Sequence, residues 1–406
     1  MDGLIASAAQ SLARGDALSA LKRIALRDDP PALALRGTAM AQLGDLARAR
    51  ELLRAASRGF GTRDPVARAR CILASAEIAL VTRDLVAALR ALGTAQTVLE
   101  AHADRANAAH AACLQARLLL LTGRPDDAEQ RCDTLECDAL PAASRPGYWL
   151  VAAGIAMRRI RTGEARAALN RAARAAQETG IAALVAEVAQ ARAAFDAPAA
   201  QLIENGGDRL LSLAKVEALI STDMLLVDIC RNVLRCGTTV IPLAGRPVLL
   251  ALLRKLAEAW PRDATREALL LHAFRARHVD ESHRARLRVE IGRLRGLLKP
   301  LAGVKATSRG FVVEPRDARK IAVLAPPVEG EHAALLALLA DGEAWSSSAL
   351  ALALDVSPRT VLRGLEALKE AGQVDWFGYG RARRWIARNV PGFPTSLLLP
   401  VPLPKG

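Results

Sequence analysis

Small residues recur at fixed distances from a turn through the first half of the chain. Gly44-Asp45 is preceded by Gly37 and followed by Ala49 and Ala56, and the same frame returns at Arg83-Asp84 with Ala76, Ala88 and Ala95. It returns again at Gly123 with Ala116 and Ala128, and at Gly163 with Ala156, Ala168 and Ala175, at spacings of 39, 40 and 40 residues. A truncated copy stands at Gly15-Asp16 with Ala20. A period of this length predicts stacked helical hairpins, with a turn between two helices and small residues where their axes approach. The fourth copy carries Arg159 where the first has Met40. The expected array covers roughly residues 10–195. Its concave face would take a peptide, a partner protein or another copy of the chain, or the stack would serve only as a spacer or dimerising scaffold.

The pattern then changes. Met224-Leu225-Leu226-Val227, Asn232-Val233-Leu234 and Thr238 to Leu243 predict short strands, with a turn at Cys236-Gly237. An apolar helix follows from about Pro247 to Trp260, stopped by Pro261. Asp263 or Thr265 caps a short helix, and Asp280-Glu281-Ser282 opens a longer one that ends near Leu298, before Pro300. Val304 to Thr307, a turn at Ser308-Arg309-Gly310, and Phe311-Val312-Val313 make a hairpin. On the long helix Leu287, Ile291, Leu294 and Leu298 form one buried stripe. Ser282, Arg286, Val289, Gly292 and Arg293 point away from it, Arg284, Arg288 and Arg295 flank it, and Lys299 stands at its end. Small outward residues let such a helix sit deep in a major groove, while arginines reach phosphates and guanine edges. A solvated helix is the alternative reading.

Thr265-Arg266-Glu267-Ala268-Leu269, the run Ile291, Leu294, Arg295 and Leu298, and Arg309-Gly310-Phe311 together resemble the DNA-binding domain of OmpR/PhoB-type winged-helix regulators, over about 90 residues. The resemblance implies double-stranded DNA binding, with Val289 and Arg293 reading bases, Arg295 on phosphate and Arg309 in a wing beside the minor groove. The wing is a residue or two shorter than usual. Helical repeats, not a phosphoacceptor receiver domain, precede it in this chain, so phosphorylation control is not implied. The first half resembles tetratricopeptide-type repeats, but with a longer period and without their aromatic positions. The combination is similar to antibiotic-pathway regulators that join the same two modules in the opposite order.

Residues 331–388 repeat the theme. His332 to Leu339 and Ser346 to Leu354 predict helices, Asp355-Val356 a turn, and Ser357-Pro358 the start of a third helix. Val361, Leu365 and Leu368 form its buried stripe, while Arg359, Thr360 and Arg363 face outward near its N-terminus, where helix-turn-helix proteins touch bases. Ala371-Gly372 ends it. Val374 to Phe377 and Arg384 to Ala387 are strands around a basic tip at Gly378-Tyr379-Gly380-Arg381. This part resembles the winged helix of MarR- or DeoR-type regulators, which implies DNA contacts from Ser357, Arg359, Thr360, Arg363, Arg381 and Arg383. Winged helices also serve as protein-interaction modules. Pro391 to Pro404 reads as an extended tail.

Charge sharpens the picture. The net charge of +14 divides as +4 over residues 1–205, +8 over 206–315 and +2 over 316–406, so the middle block concentrates the positive field. Only 8 of the 56 cations are lysine, as in a GC-rich bacterial genome. Aromatic residues at 3% argue against an RNA-stacking sheet. The composition shifts at Asn205-Gly206-Gly207 and between Pro315 and Pro327 give expected domains of 1–205, 206–315 and 316–390, with a tail at 391–406. The expected fold is mainly α: a helical-repeat solenoid followed by two α+β winged-helix domains.

Candidate chemistry changes little. Six cysteines include no CxxC pair and read as buried thiols. His272, His278 and His283 lack the spacing of a metal site. The start MDGLIASAAQ has no signal-peptide pattern, and no run of about 18 apolar residues predicts a membrane span, which suggests a cytoplasmic protein. Nucleotide-loop, zinc-protease and nucleophile-elbow motifs are absent, so neither an enzyme nor a cofactor is expected. The leading expectation is a sequence-specific transcriptional regulator bound to double-stranded DNA, with the repeats for partner binding or self-association. A replicon initiation protein and a protein-interaction adaptor are the alternatives.

Overall fold

The computed structural model describes residues 2–82, 84–243, 246–274, 281–316, 319–327, 332–339, 345–354, 356–380 and 383–387. The chain is mainly helical with a few small sheets. It divides into two units, one formed by the residues up to Ala194 together with those from Glu331 onward, the other running from Phe195 to Gly330. Among the described residues no helix is long and apolar enough to cross a membrane.

The first unit begins with eleven described helices: α1 (Gly3–Ala13), α2 (Ala17–Ile24), α3 (Pro30–Gln42), α4 (Leu46–Phe60), α5 (Pro65–Val81), α6 (Leu85–Ala101), α7 (Arg105–Leu121), α8 (Pro125–Asp133), α9 (Arg145–Arg158), α10 (Thr162–Thr179) and α11 (Ala182–Asp196). The first ten pair in sequence as five hairpins, and α1, α3, α5, α7 and α9 also pack each on the next. Asp2, Asp16, Asp29, Asp45, Asp64, Asp84 and Asp104 cap α1 to α7, each side chain accepting an amide N–H of the first turn.

The cap positions of the second helices set the frame of the repeat. Eight residues before them stand Ala8, Gly37, Ala76, Ala116 and Ala153; four residues after stand Ala20, Ala49, Ala88, Ala128 and Ala165. All ten are buried. Gly37 is the tightest, because a Cβ there would lie 2.8 Å from Leu53 Cγ and 3.2 Å from the Ala49 carbonyl oxygen. The fourth copy departs from expectation. Its turn residue is Ile160, at φ 57°, and Gly163 lies inside α10. The frame there slips by three residues, which puts Ala153, Ala165 and Ala172 at the close approaches. Arg159 is therefore not the counterpart of Met40; it pairs with Glu129 at 2.6 Å and with Asp126 at 2.5 Å.

The second unit opens with β1 (Ala200–Glu204) and β2 (Gly207–Leu211), then α12 (Leu213–Ile220), β3 (Leu225–Asp228), β4 (Val233–Cys236) and β5 (Thr239–Pro242). Next come α13 (Pro247–Ala259), β6 (Ala264–Thr265), α14 (Arg266–Phe274), α15 (Glu281–Leu298), β7 (Ala302–Ala306), β8 (Gly310–Pro315) and β9 (Ile321–Ala325). Two sheets result, ordered β2-β1-β9-β3-β4-β5 and β6-β8-β7. Both composition shifts taken as domain boundaries fall within this unit. Asn205 and Gly206, at φ 53° and 80°, form the tight turn of the β1–β2 hairpin. The cut after Pro315 separates β9 from its partners, although β9 lies between β1 and β3 and runs parallel to β3. All five β9 residues, Ile-Ala-Val-Leu-Ala, are buried, as a strand covered on both faces requires.

The first unit closes with α16 (Ala333–Leu339), α17 (Ser347–Leu354), α18 (Pro358–Glu370), β10 (Val374–Phe377) and β11 (Arg384–Ala387). Trp345 exchanges backbone hydrogen bonds with Trp385, at 2.8 and 2.7 Å. This module is not a domain apart. Leu335, Leu339, Trp345, Leu350, Leu365 and Trp385 share one hydrophobic core with Leu73, Leu92, Leu99 and Leu114 of α5 to α7. Asp355 and the proline-containing tail lie outside the described residues.

Candidate nucleic-acid interface

The face that would meet DNA is built on α15. Leu287, Ile291, Leu294 and Leu298 are all buried against α13 and the hairpin β7–β8, which fixes the helix about its axis. Ser282, Arg284, Arg286, Arg288, Val289, Gly292, Arg293, Arg295 and Lys299 are exposed, so the outward set reaches solvent together. Val289, 55% exposed, is an apolar residue in the middle of that face. Asp280 and His278 lie outside the described residues.

Their partners sort the arginines. Arg286 lies over the Phe274 ring, 4.7 Å from its centroid, and is held at the end of α14. Arg293 donates to Glu290 at 2.9 Å, an inward residue of the same helix with a side chain only 12% exposed. Arg284 and Arg288 share Glu281 at 3.4 and 3.2 Å, in pairs exposed on both sides. Such pairs exchange readily for phosphate because each contributes at most about 1 kcal/mol. Arg295 differs: its Nε donates to the Val304 carbonyl at 2.8 Å, which ties α15 to β7. That bond makes it a brace of the hairpin.

The hairpin tip is braced as well. Arg309 donates to Asp263 at 2.8 Å, and the Thr307 hydroxyl donates to the other carboxylate oxygen at 2.7 Å. The Thr307 and Arg309 hydrogen bonds hold the Asp263 carboxyl below its ordinary pKa. Arg266 donates to the Ser308 and Thr307 carbonyls at 2.8 and 3.1 Å. Sequence reasoning gave Asp263 only a capping role and Arg266 only a place in a motif. Their contacts span more than forty residues, and no local pattern signals them.

Gly310 is required by close approach. A Cβ would stand 1.8 Å from the Ala264 carbonyl oxygen and 2.9 Å from Thr265 Cα, so only a backbone shift could accommodate it. Gly310→Ala is expected to push β8 off β6 and to destabilise the unit by at least about 1–3 kcal/mol. A chemical-unfolding midpoint equal to that of the unchanged protein would contradict this.

On the C-terminal module, Ser357 caps α18 by accepting the Thr360 N–H at 3.1 Å, and its hydroxyl lies 2.9 Å from that of Thr360. Arg359 and Arg363 are exposed beside Leu362 and Glu366 along a shallow groove. Arg383 stacks on the Trp376 ring at 4.4 Å from its centroid, and Lys369 sits 4.6 Å from the same ring. Phe377 and Tyr379 are 53% and 84% exposed, so aromatic surface accompanies the expected basic tip. Arg381 lies outside the described residues.

His272 is exposed and His283 lies 6.5 Å from the Phe274 ring; among the described residues no three metal-ligating side chains cluster. Of the expected buried thiols, Cys71, Cys113, Cys132 and Cys236 are buried, Cys137 is intermediate and Cys230 is exposed. No protein-family model, curated protein or solved structure matches the chain.

Proposed function

We propose that this chain is a sequence-specific transcriptional regulator of double-stranded DNA, with the second unit as a winged-helix reader. The observation that carries the reading is the outward face of α15: Arg286, Val289 and Arg293 are exposed together on a helix whose opposite stripe is buried. The braced hairpin carrying Arg309 supports it as a wing. In this reading Arg286 and Arg293 reach base edges, while Arg284, Arg288 and Lys299 reach phosphates. The stacked hairpins act as a tetratricopeptide-like surface for a partner or a second copy.

The C-terminal module has a second reading. Its core is continuous with α5 to α7, which favours a protein-packing role in which Arg359 and Arg363 add only a minor DNA contact. Selection of fragmented genomic DNA by the purified full-length protein, followed by sequencing, tests the main proposal. Enrichment of a few fragments upstream of genes is expected. Enrichment of one cluster of repeats beside a replication gene would turn the reading to a replicon initiator. No enrichment above background would replace it with an adaptor.

A further inference from the structure

A helix that only continues a stack of hairpins touches its nearest neighbour. The helix α11 reaches further. Its apolar stripe, Leu184 and Val188 with Ile181 just before it, packs on Ala172 and Ala176 of α10 and on Trp149 and Leu150 of α9, which form the preceding hairpin. Glu187, on the same helix, accepts from Arg117 of α7 at 3.1 Å. Leu184 and Glu187 also line one small cavity with Glu77 of α5, Arg117 of α7 and Val151 of α9. At the start of α11, a Cβ on Gly15, in the turn of the first hairpin, would stand 3.3 Å from Ile181 Cγ2. One helix thus meets four of the five hairpins, which places it on the inner face of the stack's curve.

Few apolar groups hold it there. Within residues 182–194 the buried side chains are Leu184 and Val188, against seven buried residues in α5 and nine in α7. Arg192 adds a hydrogen bond to Asn170 of α10 at 2.6 Å. The Arg117 and Glu187 side chains are 35% and 25% exposed, so water reaches the pair. The cavity beneath is about 50 Å³, room for a few waters at roughly 10–15 Å³ each, so the seat is looser than a close-packed core. Gly180 makes the turn into α11 at φ 67°, and a Cβ there would meet nothing within 4 Å, so little packing resists a swing about it. A segment with few buried apolar contacts opens locally at a lower free energy than the helices under it.

From this arrangement we infer that α11 is a displaceable internal ligand of the inner face, and that this face takes an amphipathic helix of a partner protein in its place. The pattern of α11 defines that helix: apolar residues at the spacing of Ile181, Leu184 and Val188, and a carboxylate where Glu187 meets Arg117. The inference rests on the reading of the stacked hairpins as a partner surface and is independent of the DNA-reading face.

Two measurements on the full-length protein test it. Hydrogen exchange reads the displacement: amides of residues 186–194 are expected to exchange at least about tenfold faster than those of α5 and α7. Fluorescence anisotropy reads the face. A labelled peptide of residues 180–196 is added to the full-length double variant Leu184→Asp/Val188→Asp, whose own α11 no longer fits its seat. Glu187→Arg in the chain is a milder second variant, and the thermal midpoint of each reports its folding. Saturable binding is expected, at least about tenfold tighter than to the unchanged protein, where α11 competes. A peptide carrying Glu187→Arg should bind about ten- to hundredfold more weakly, the loss of one hydrogen bond between charged groups. Exchange of α11 in step with α5 and α7 would make it a fixed part of the stack and overturn the displacement, while leaving the partner-surface reading. Fast exchange of α11 with no peptide binding to either folded variant would overturn both. Equal binding of the two peptides would overturn the carboxylate requirement.

Discussion

Alanine at both Arg286 and Arg293 is expected to erase the preference for a selected operator over scrambled DNA of the same length. The two residues are seven apart on α15, about 10 Å along its axis, so their effects should nearly add. A bidentate arginine–guanine contact discriminates by about 1–3 kcal/mol, so the double variant should lose roughly 2–6 kcal/mol at the operator. Fluorescence anisotropy at fixed salt would measure it. The cost to folding differs between them: Arg286 gives up its stacking on Phe274, about 1 kcal/mol or less, while Arg293 leaves the mostly buried Glu290 carboxylate without that partner, about 1–3 kcal/mol, so the unfolding midpoint is measured alongside. Arg295→Ala should behave differently. Its hydrogen bond to Val304 braces the hairpin, so the expected loss is about 1 kcal/mol of stability with the salt dependence of binding nearly unchanged. Equal losses on operator and scrambled DNA from the double variant would reduce Arg286 and Arg293 to phosphate contacts.

These assignments mark how far the sequence carries. The α15 stripe was legible because four apolar residues at helical spacing have one way to be buried. The alanine frame was legible for the same reason in three copies of the repeat. It failed in the fourth, where a non-glycine residue, Ile160, takes the left-handed turn and Gly163 offers a false marker. Asn205-Gly206 was misread because the same dipeptide marks a linker and a tight hairpin; only the pairing of β1 with β2 decides between them. The strand β9 was missed because it lies between prolines and pairs across about a hundred residues with β3. Partners also decided the arginines. Periodicity places Arg293 outward and Arg295 on the flank of the buried stripe, but only the fold brings the Val304 carbonyl to Arg295.

The continuity of the core leads to the other large effect. Trp385 is 1% exposed, packs with Trp345 and belongs to the same apolar cluster as Leu73, Leu92 and Leu114. Its Nε1 has no hydrogen-bond partner, so packing alone sets the loss when the indole is removed. Trp385→Ala is expected to destabilise the first unit by about 3–5 kcal/mol, the range for emptying a buried aromatic site. One cluster without an internal boundary should open as one cooperative piece, so the loss should reach α5 to α7 as well as residues 345–387. Hydrogen exchange on the full-length protein would show amides of both regions losing protection together, with the α13–α15 amides of the second unit unchanged. If residues 345–387 lost protection while α5 to α7 kept theirs, the module would be a separately folding domain and the shared core a docking contact. Joint loss would tie any ligand or partner of the helical stack to the stability of the C-terminal module, because both draw on the same buried side chains.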